Sequence, residues 1–187
     1  MVSTNDLKRG MVVKIDGTLY SVVEHQHVKP GKGGAFVRTK LRLLTKGTVI
    51  DKTFRAGEKV EDVRIESKPM QYLYDEGDSL VFMDTESYEQ ESVSKDFAGN
   101  ILDYIKEGDS VEIAFYEGNP VSLEMPTFVV LKVVYAEPGV KGDTATNVTK
   151  AVKLETGAEV RVPLFVNEGD AVKIDTRTGE YVERVKL

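Results

Sequence analysis

Cysteine is absent from the 187 residues, and so is tryptophan; histidine occurs twice and proline six times. Without cysteine there is no disulfide, no thiolate metal site and no cysteine nucleophile. The opening segment, MVSTNDLKRG, has no apolar core of the kind that marks a signal peptide. Nor does any apolar run approach the roughly 18 residues that a membrane helix needs. The expectation is a cytoplasmic protein with no membrane partner. Carboxylates are plentiful but unsorted: Asp75, Glu76 and Asp78 fall in a turn, and Glu86, Glu89 and Glu91 form an acidic stretch without a basic partner. Nothing there separates a general acid from a general base. No serine sits in a G-x-S-x-G elbow, so the reading is against an enzyme.

What is present is ordinary globular composition, 41% hydrophobic and 30% charged, with its charge sorted along the chain. The formal net charge is −6, yet residues 1–64 carry 13 Lys+Arg against 7 Asp+Glu, and residues 65–126 carry 3 against 15. Residues 127–187 balance at 9 against 9. Local potential, not the total, decides which partners such a chain attracts.

Strand signals dominate. MVVKID (11–16) and LYSVVE (19–24) flank Asp16-Gly17, a dipeptide suited to a tight hairpin. A related pattern returns at EGDSVEI (107–113), followed by Glu117-Gly118, and again at EGDAVKI (168–174), followed by Thr178-Gly179. The spacing of the last two equals the length of one small barrel, which reads as an internal repeat. Boundaries at Lys68-Pro69 and Met125-Pro126 give three units: 1–64, an acidic 65–126, and 127–187. The fold expected is all-β, three tandem small barrels. One helical signal interrupts it, with Phe97, Ile101, Leu102 and Ile105 on a shared face, Ser94 or Asp96 as cap and Gly108 as stop.

The most informative segment is EHQHVKPGKGGAFVRTKLRLL (24–44). Two strands bracket a seven-residue loop, KPGKGGA, holding Lys29, Pro30, Gly31, Lys32, Gly33 and Gly34. Along the second strand Val37, Thr39, Leu41 and Leu43 face one way and Arg38, Lys40 and Arg42 the other. Three cations on one face suit a phosphate backbone. An overhang of four residues per strand would carry Lys32 roughly 13 Å beyond the barrel. A nucleotide P-loop is disfavoured, because Lys32 leads into a strand and not a helix N-terminus. His25 and His27 share a strand face and would allow a metal pair, but no third ligand stands beside them. A surface or RNA-facing pair is the better reading, and neither metal nor cofactor is expected.

Taken together, KPGKGGAFVRTKLR (29–42), KTFRAGEK (52–59), MQYLYDEGD (70–78), EPGVKGDTAT (137–146), KAVKLETGAEVRVPLFVNEG (150–169) and IDTRTGEYVERVK (174–186) strongly resemble the bacterial elongation factor P family of translation factors. The resemblance implies an SH3-like (KOW-type) first domain and two OB-fold domains in an L-shaped, tRNA-like arrangement. It implies a monomer that binds the 70S ribosome beside the P-site peptidyl-tRNA and promotes peptide-bond formation at consecutive prolines. Lys32 would be the residue that reaches towards the peptidyl-transferase centre, and the one a lysine-modifying enzyme extends. Lys29, Arg38, Lys40 and Arg42, with Tyr181 and Arg184, would contact RNA. Gly142, Asp143, Thr144, Ala145, Thr146 and Asn147 match the loop that approaches the E-site mRNA codon. This chain departs from many relatives there: Asn147-Val148-Thr149 replaces a glycine-rich stretch, and Ala151 follows Lys150 without the common intervening proline. The acidic middle unit would face a basic ribosomal protein or solvent. The competing reading is a free single-stranded nucleic-acid binder, since OB barrels stack bases on aromatics. Only Phe36 is aromatic within 29–46, which weighs against it.

Overall fold

The computed structural model describes residues 1–138 and 148–187. The chain is all-β, with sixteen strands in three sheets among the described residues. The first sheet contains β1 (Val2–Ser3), β2 (Val12–Ile15), β3 (Thr18–Val28), β4 (Phe36–Leu43), β5 (Val49–Arg55) and β6 (Lys59–Val63), in the order 1-6-2-3-4-5. The second contains β7 (Glu66–Asp75), β8 (Ser79–Asp84), β9 (Gln90–Ser94), β10 (Ser110–Tyr116) and β11 (Asn119–Glu124), in the order 11-10-7-8-9. The third contains β12 (Phe128–Ala136), β13 (Thr149–Leu154), β14 (Glu159–Pro163), β15 (Ala171–Asp175) and β16 (Glu180–Val185), in the order 14-13-12-15-16. By compactness the chain divides into two units, residues 1–68 with 113–123, and residues 69–112 with 124–187.

Two hairpins turn on residues with positive φ at both central positions, as the tightest reversals require. They are Asp16-Gly17 (φ +50° and +78°) and Glu117-Gly118 (φ +50° and +79°).

A second device recurs in all three sheets. In Lys8–Met11, Lys106–Asp109 and Asn167–Asp170, the fourth amide donates to the first carbonyl at 3.2, 3.0 and 3.1 Å. The third residue is glycine with φ near +90°, a region that a Cβ disfavours. Its amide donates at 2.8 Å to the carbonyl of Val22, Tyr72 or Val133 on the neighbouring strand. Beyond each of those residues the register slips, at Val22/Glu24, Tyr72/Tyr74 and Val133/Tyr135. Turn and bulge therefore form one joint, used three times. In the second and third copies an aspartate completes it, Asp109 accepting from the Lys106 amide at 2.9 Å and Asp170 from the Asn167 amide at 2.8 Å.

Each sheet has its own apolar layer. Leu7, Val13, Val22, Leu41, Phe54 and Val60 are buried together in the first. Leu131, Val133, Val152, Leu154, Val162, Val172 and Ile174 are buried in the third, joined by Tyr104. In the second, Tyr72 and Phe82 pair across β7 and β8 with ring centroids 5.6 Å apart.

The expected continuous helix is not formed. A single α-turn, α1 (Lys95–Ala98), is capped by the Ser94 hydroxyl, which accepts from the Phe97 amide at 3.2 Å. Gly99 adopts φ +62° and ends it, and Ile101–Asp103 forms a separate 3-10 turn. Of the two cap candidates Ser94 is the cap and Asp96 lies within the turn, and Gly99-Asn100 breaks the helix nine residues before Gly108. The break lets Ile101 and Ile105 stay buried while Tyr104 turns into the apolar layer of the third sheet.

Candidate functional site, a three-stranded arm carrying a lysine loop

The β3–β4 hairpin brackets residues 29–35, and residues 29–34 are all exposed. Lys32 lies near the middle of this loop, beside Gly33 at φ +111°, and makes no ion pair or hydrogen bond among the described residues. The hairpin forms because β4 alternates as its sequence dictates. Val37, Thr39 and Leu41 are buried, and Arg38, Lys40 and Arg42 are exposed. The one polar residue on the inner side, Thr39, donates its hydroxyl to the Lys52 carbonyl at 2.7 Å, so its burial leaves nothing unsatisfied.

The arm is wider than its two strands. β5 pairs with β4 from Arg42↔Val49 to Phe36↔Arg55, and the Ala56 amide donates to the Ala35 carbonyl at 3.0 Å. β2, by contrast, pairs with β3 only over Thr18–Ser21. The expected two-stranded overhang is thus a three-stranded one, supported on the β4 side as far as the loop. A strand is invisible as a support until its register is known, which is why sequence reasoning missed it.

Pairing also brings acids to the cationic stripe. Glu24 is the Cα partner of Lys40, and their charged groups meet at 3.4 Å. Asp51 is the partner of Lys40 from the other side. The Arg38 guanidinium lies 5.3 Å from the centre of the Phe36 ring. Arg42 makes no ion pair among the described residues. A run without acids in sequence therefore has one of its cations, Lys40, paired across strands. His25 and His27 are both exposed and are partnered with Thr39 and Val37, which puts them on the face opposite Arg38, Lys40 and Arg42. Among the described residues no three His, Cys, Asp or Glu side chains gather as a metal site would need.

The other sequence-nominated residues belong to the third sheet or lie outside the described residues. Tyr181 is half-buried and packs against the core of the third sheet. The Arg184 guanidinium lies 5.2 Å from the centre of the Phe165 ring, donates to the Phe165 carbonyl at 3.4 Å and approaches the Asp170 carboxylate at 3.5 Å. Gly142, Asp143, Thr144, Ala145, Thr146 and Asn147 lie outside the described residues. In the middle sheet Glu86, Glu89 and Glu91 are exposed. The hydrogen bond from Lys95, at 2.7 Å, holds the Asp75 carboxyl below the usual carboxylate range.

No helix among the described residues is long and apolar enough to cross a membrane. Three family models cover the chain in order: the elongation factor P KOW-like domain over residues 3–60, the elongation factor P OB domain over 65–123, and the elongation factor P C-terminal domain over 129–184. The three sheets are accordingly a KOW-like domain and two OB-like half-barrels. Elongation factor P of Coprothermobacter proteolyticus is 57% identical over 99% of this chain and 100% of its own length. That of Natranaerobius thermophilus is 55% identical over 100% and 99%. Among solved structures, a eukaryotic translation initiation factor 5A from Methanococcus jannaschii is similar with a TM-score of 0.50 and 26% identity, over 65% of this chain and 94% of that one. With models and relatives matching it from end to end, the chain belongs to the elongation factor P family of non-enzymatic translation factors.

Proposed function

We propose that the chain binds the ribosome beside the P-site peptidyl-tRNA and uses Lys32 to ease peptide-bond formation between consecutive prolines. The observation that supports this reading most directly is the exposed Lys32 on a loop carried by a three-stranded arm. Proline's ring fixes its φ and restricts the approach of the reacting groups. A factor that aligns them needs no acid, base or nucleophile of its own, because orientation alone contributes large rate factors. A tenfold to hundredfold gain asks for about 1.4–2.7 kcal/mol, within reach of a few contacts. Arg38, Lys40 and Arg42, with Lys29, would hold the arm against tRNA phosphates. Exposure of the Lys32 ammonium also suits it to a lysine-modifying enzyme. The acidic middle domain would turn to a basic ribosomal protein.

The test is translation of a reporter carrying a proline tract in a system depleted of the endogenous factor. The wild-type chain should relieve stalling and Lys32→Ala should not, although both fold. Equal relief by the two proteins would overturn the reading. Retained binding to free oligonucleotides, with no preference for ribosomes, would favour the single-stranded nucleic-acid alternative.

A further inference from the structure

The first sheet closes on itself at the end of the arm. In the order 1-6-2-3-4-5 its two edges are β1 and β5, and they meet through the turns that follow them. Thr4, the residue after β1, is fully buried and donates its hydroxyl to the Arg55 carbonyl at 2.9 Å. Its amide donates to the Glu58 carbonyl at 2.8 Å, and the Asn5 side-chain oxygen accepts from the Gly57 amide at 3.3 Å. Within the second turn the Arg55 amide donates to the Glu58 carboxylate, and the Glu58 amide to the Arg55 carbonyl, both at 3.1 Å. Arg55 is the last residue of β5 and lies opposite Phe36, the first of β4. Its outward amide and carbonyl are the groups that an edge strand leaves unpaired, and here both are taken. The next amide, that of Ala56, donates to the carbonyl of Ala35, the final residue of the lysine loop. A line of hydrogen bonds thus runs from Thr4 through Arg55 and Ala56 to the root of that loop. The β3 side has no such tie, because its other neighbour, β2, pairs only with Thr18–Ser21.

We propose that Thr4 is a positioning residue for Lys32: its hydroxyl, together with the Glu58 carboxylate, pins the end of β5 to the barrel and so fixes the point from which the lysine loop springs. The proposal rests on the ribosome-binding reading above. A valine would fill the same buried space, so what threonine adds there is the bond, and a hydroxyl this deep persists only where it has a partner. A group that acts by orientation is sensitive to its mounting, since a displacement of about 1 Å can cost a factor of about a hundred. Attraction of the exposed stripe to phosphates is electrostatic and tolerates such a shift. Binding and action are therefore separable at Thr4.

The experiment compares the wild type with Thr4→Val, Thr4→Ser and, at an exposed position, Glu58→Ala. Three quantities are read: hydrogen exchange of the Ala56 amide, affinity for purified ribosomes, and relief of a proline-tract reporter as the factor is raised to saturation. In Thr4→Val the Ala56 amide should exchange about tenfold faster while the Leu41 amide at the sheet centre is unchanged. Its ribosome affinity should hold, and its relief at saturation should fall about fivefold. Thr4→Ser keeps the hydroxyl and should match the wild type, and Glu58→Ala should move in the direction of Thr4→Val by a smaller step. Full relief by Thr4→Val, or a deficit that saturation removes, would overturn this inference and leave the role of Lys32 intact. So would a serine variant as impaired as the valine one. A wild type that relieves no stalling at saturation would sink both readings together.

Discussion

Lys32 and Arg184 are both cations nominated to touch RNA, and their surroundings differ in kind. Lys32 stands on a loop of glycines with no described partner, carried by strands whose apolar face is buried beneath it. Arg184 is claimed by the Phe165 ring, the Phe165 carbonyl and Asp170, and half-buried Tyr181 on the same strand packs against the third sheet's core. A charge that is already satisfied has less to offer a ligand than one that is not, because its partners must be given up first. The arm therefore presents chemistry, and the C-terminal strand spends most of the same chemistry on holding itself together.

The largest effect that separates the two regions is on stability. Tyr181→Ala should cost roughly 2 kcal/mol in denaturant unfolding, since it removes a ring from the edge of a packed core. Lys32→Ala should stay within about 0.5 kcal/mol of the wild type. If Tyr181→Ala unfolds like the wild type yet binds ribosomes poorly, the third sheet is a contact surface and the contrast collapses. Next is Gly179→Ala, which forces a Cβ into φ +76° and to 3.1 Å from the Tyr104 hydroxyl. It should lose about 1–2 kcal/mol with ribosome affinity unchanged.

On the arm, Arg42→Ala should weaken ribosome binding and reduce the salt slope by about one. The same measurement on Arg184→Ala should show a smaller change. The smallest effect sharpens the picture of the stripe. Glu24→Gln releases Lys40 and should tighten ribosome binding by less than about 1 kcal/mol, the worth of an exposed pair. A decrease would mean that Glu24 itself meets a basic group on the partner.

Alkaline titration probes the packed side of the contrast. Burial, then the nearby Asp103 and Asp175, push the Tyr104 phenol above its ordinary value. The unfolded phenol ionises first, so the stability that Tyr104 contributes is whole below about pH 10 and is lost as pH climbs through the raised value. Tyr104→Phe should lose less stability than the wild type across that window, as read by thermal unfolding.

Much of the fold was legible because alternation and turn chemistry are local. Val37 to Arg42 announce both faces of β4, and Asp16-Gly17 and Glu117-Gly118 announce their hairpins. The EGD repeat is visible as text, and its hydrogen bonds show it to be one joint. What stayed hidden depends on residues distant in sequence. Nothing near Lys40 names Glu24 or Asp51 as its neighbours, and nothing in β4 reveals that β5 runs alongside it to the loop. The helix around Phe97 failed for a local reason that periodicity outweighed: Gly99 supplies a φ of +62° that ends the turn at once.

A two-stranded ribbon twists readily about its length, whereas a third strand turns it into a plank. With β5 bonded along β4 as far as Ala35–Ala56, a push on the end of the arm is carried into the domain instead of being absorbed by twist. The wander of the terminal ammonium is then set by seven residues and one lysyl chain. That small leash confines the ammonium to a narrow volume at the end of a stiff support.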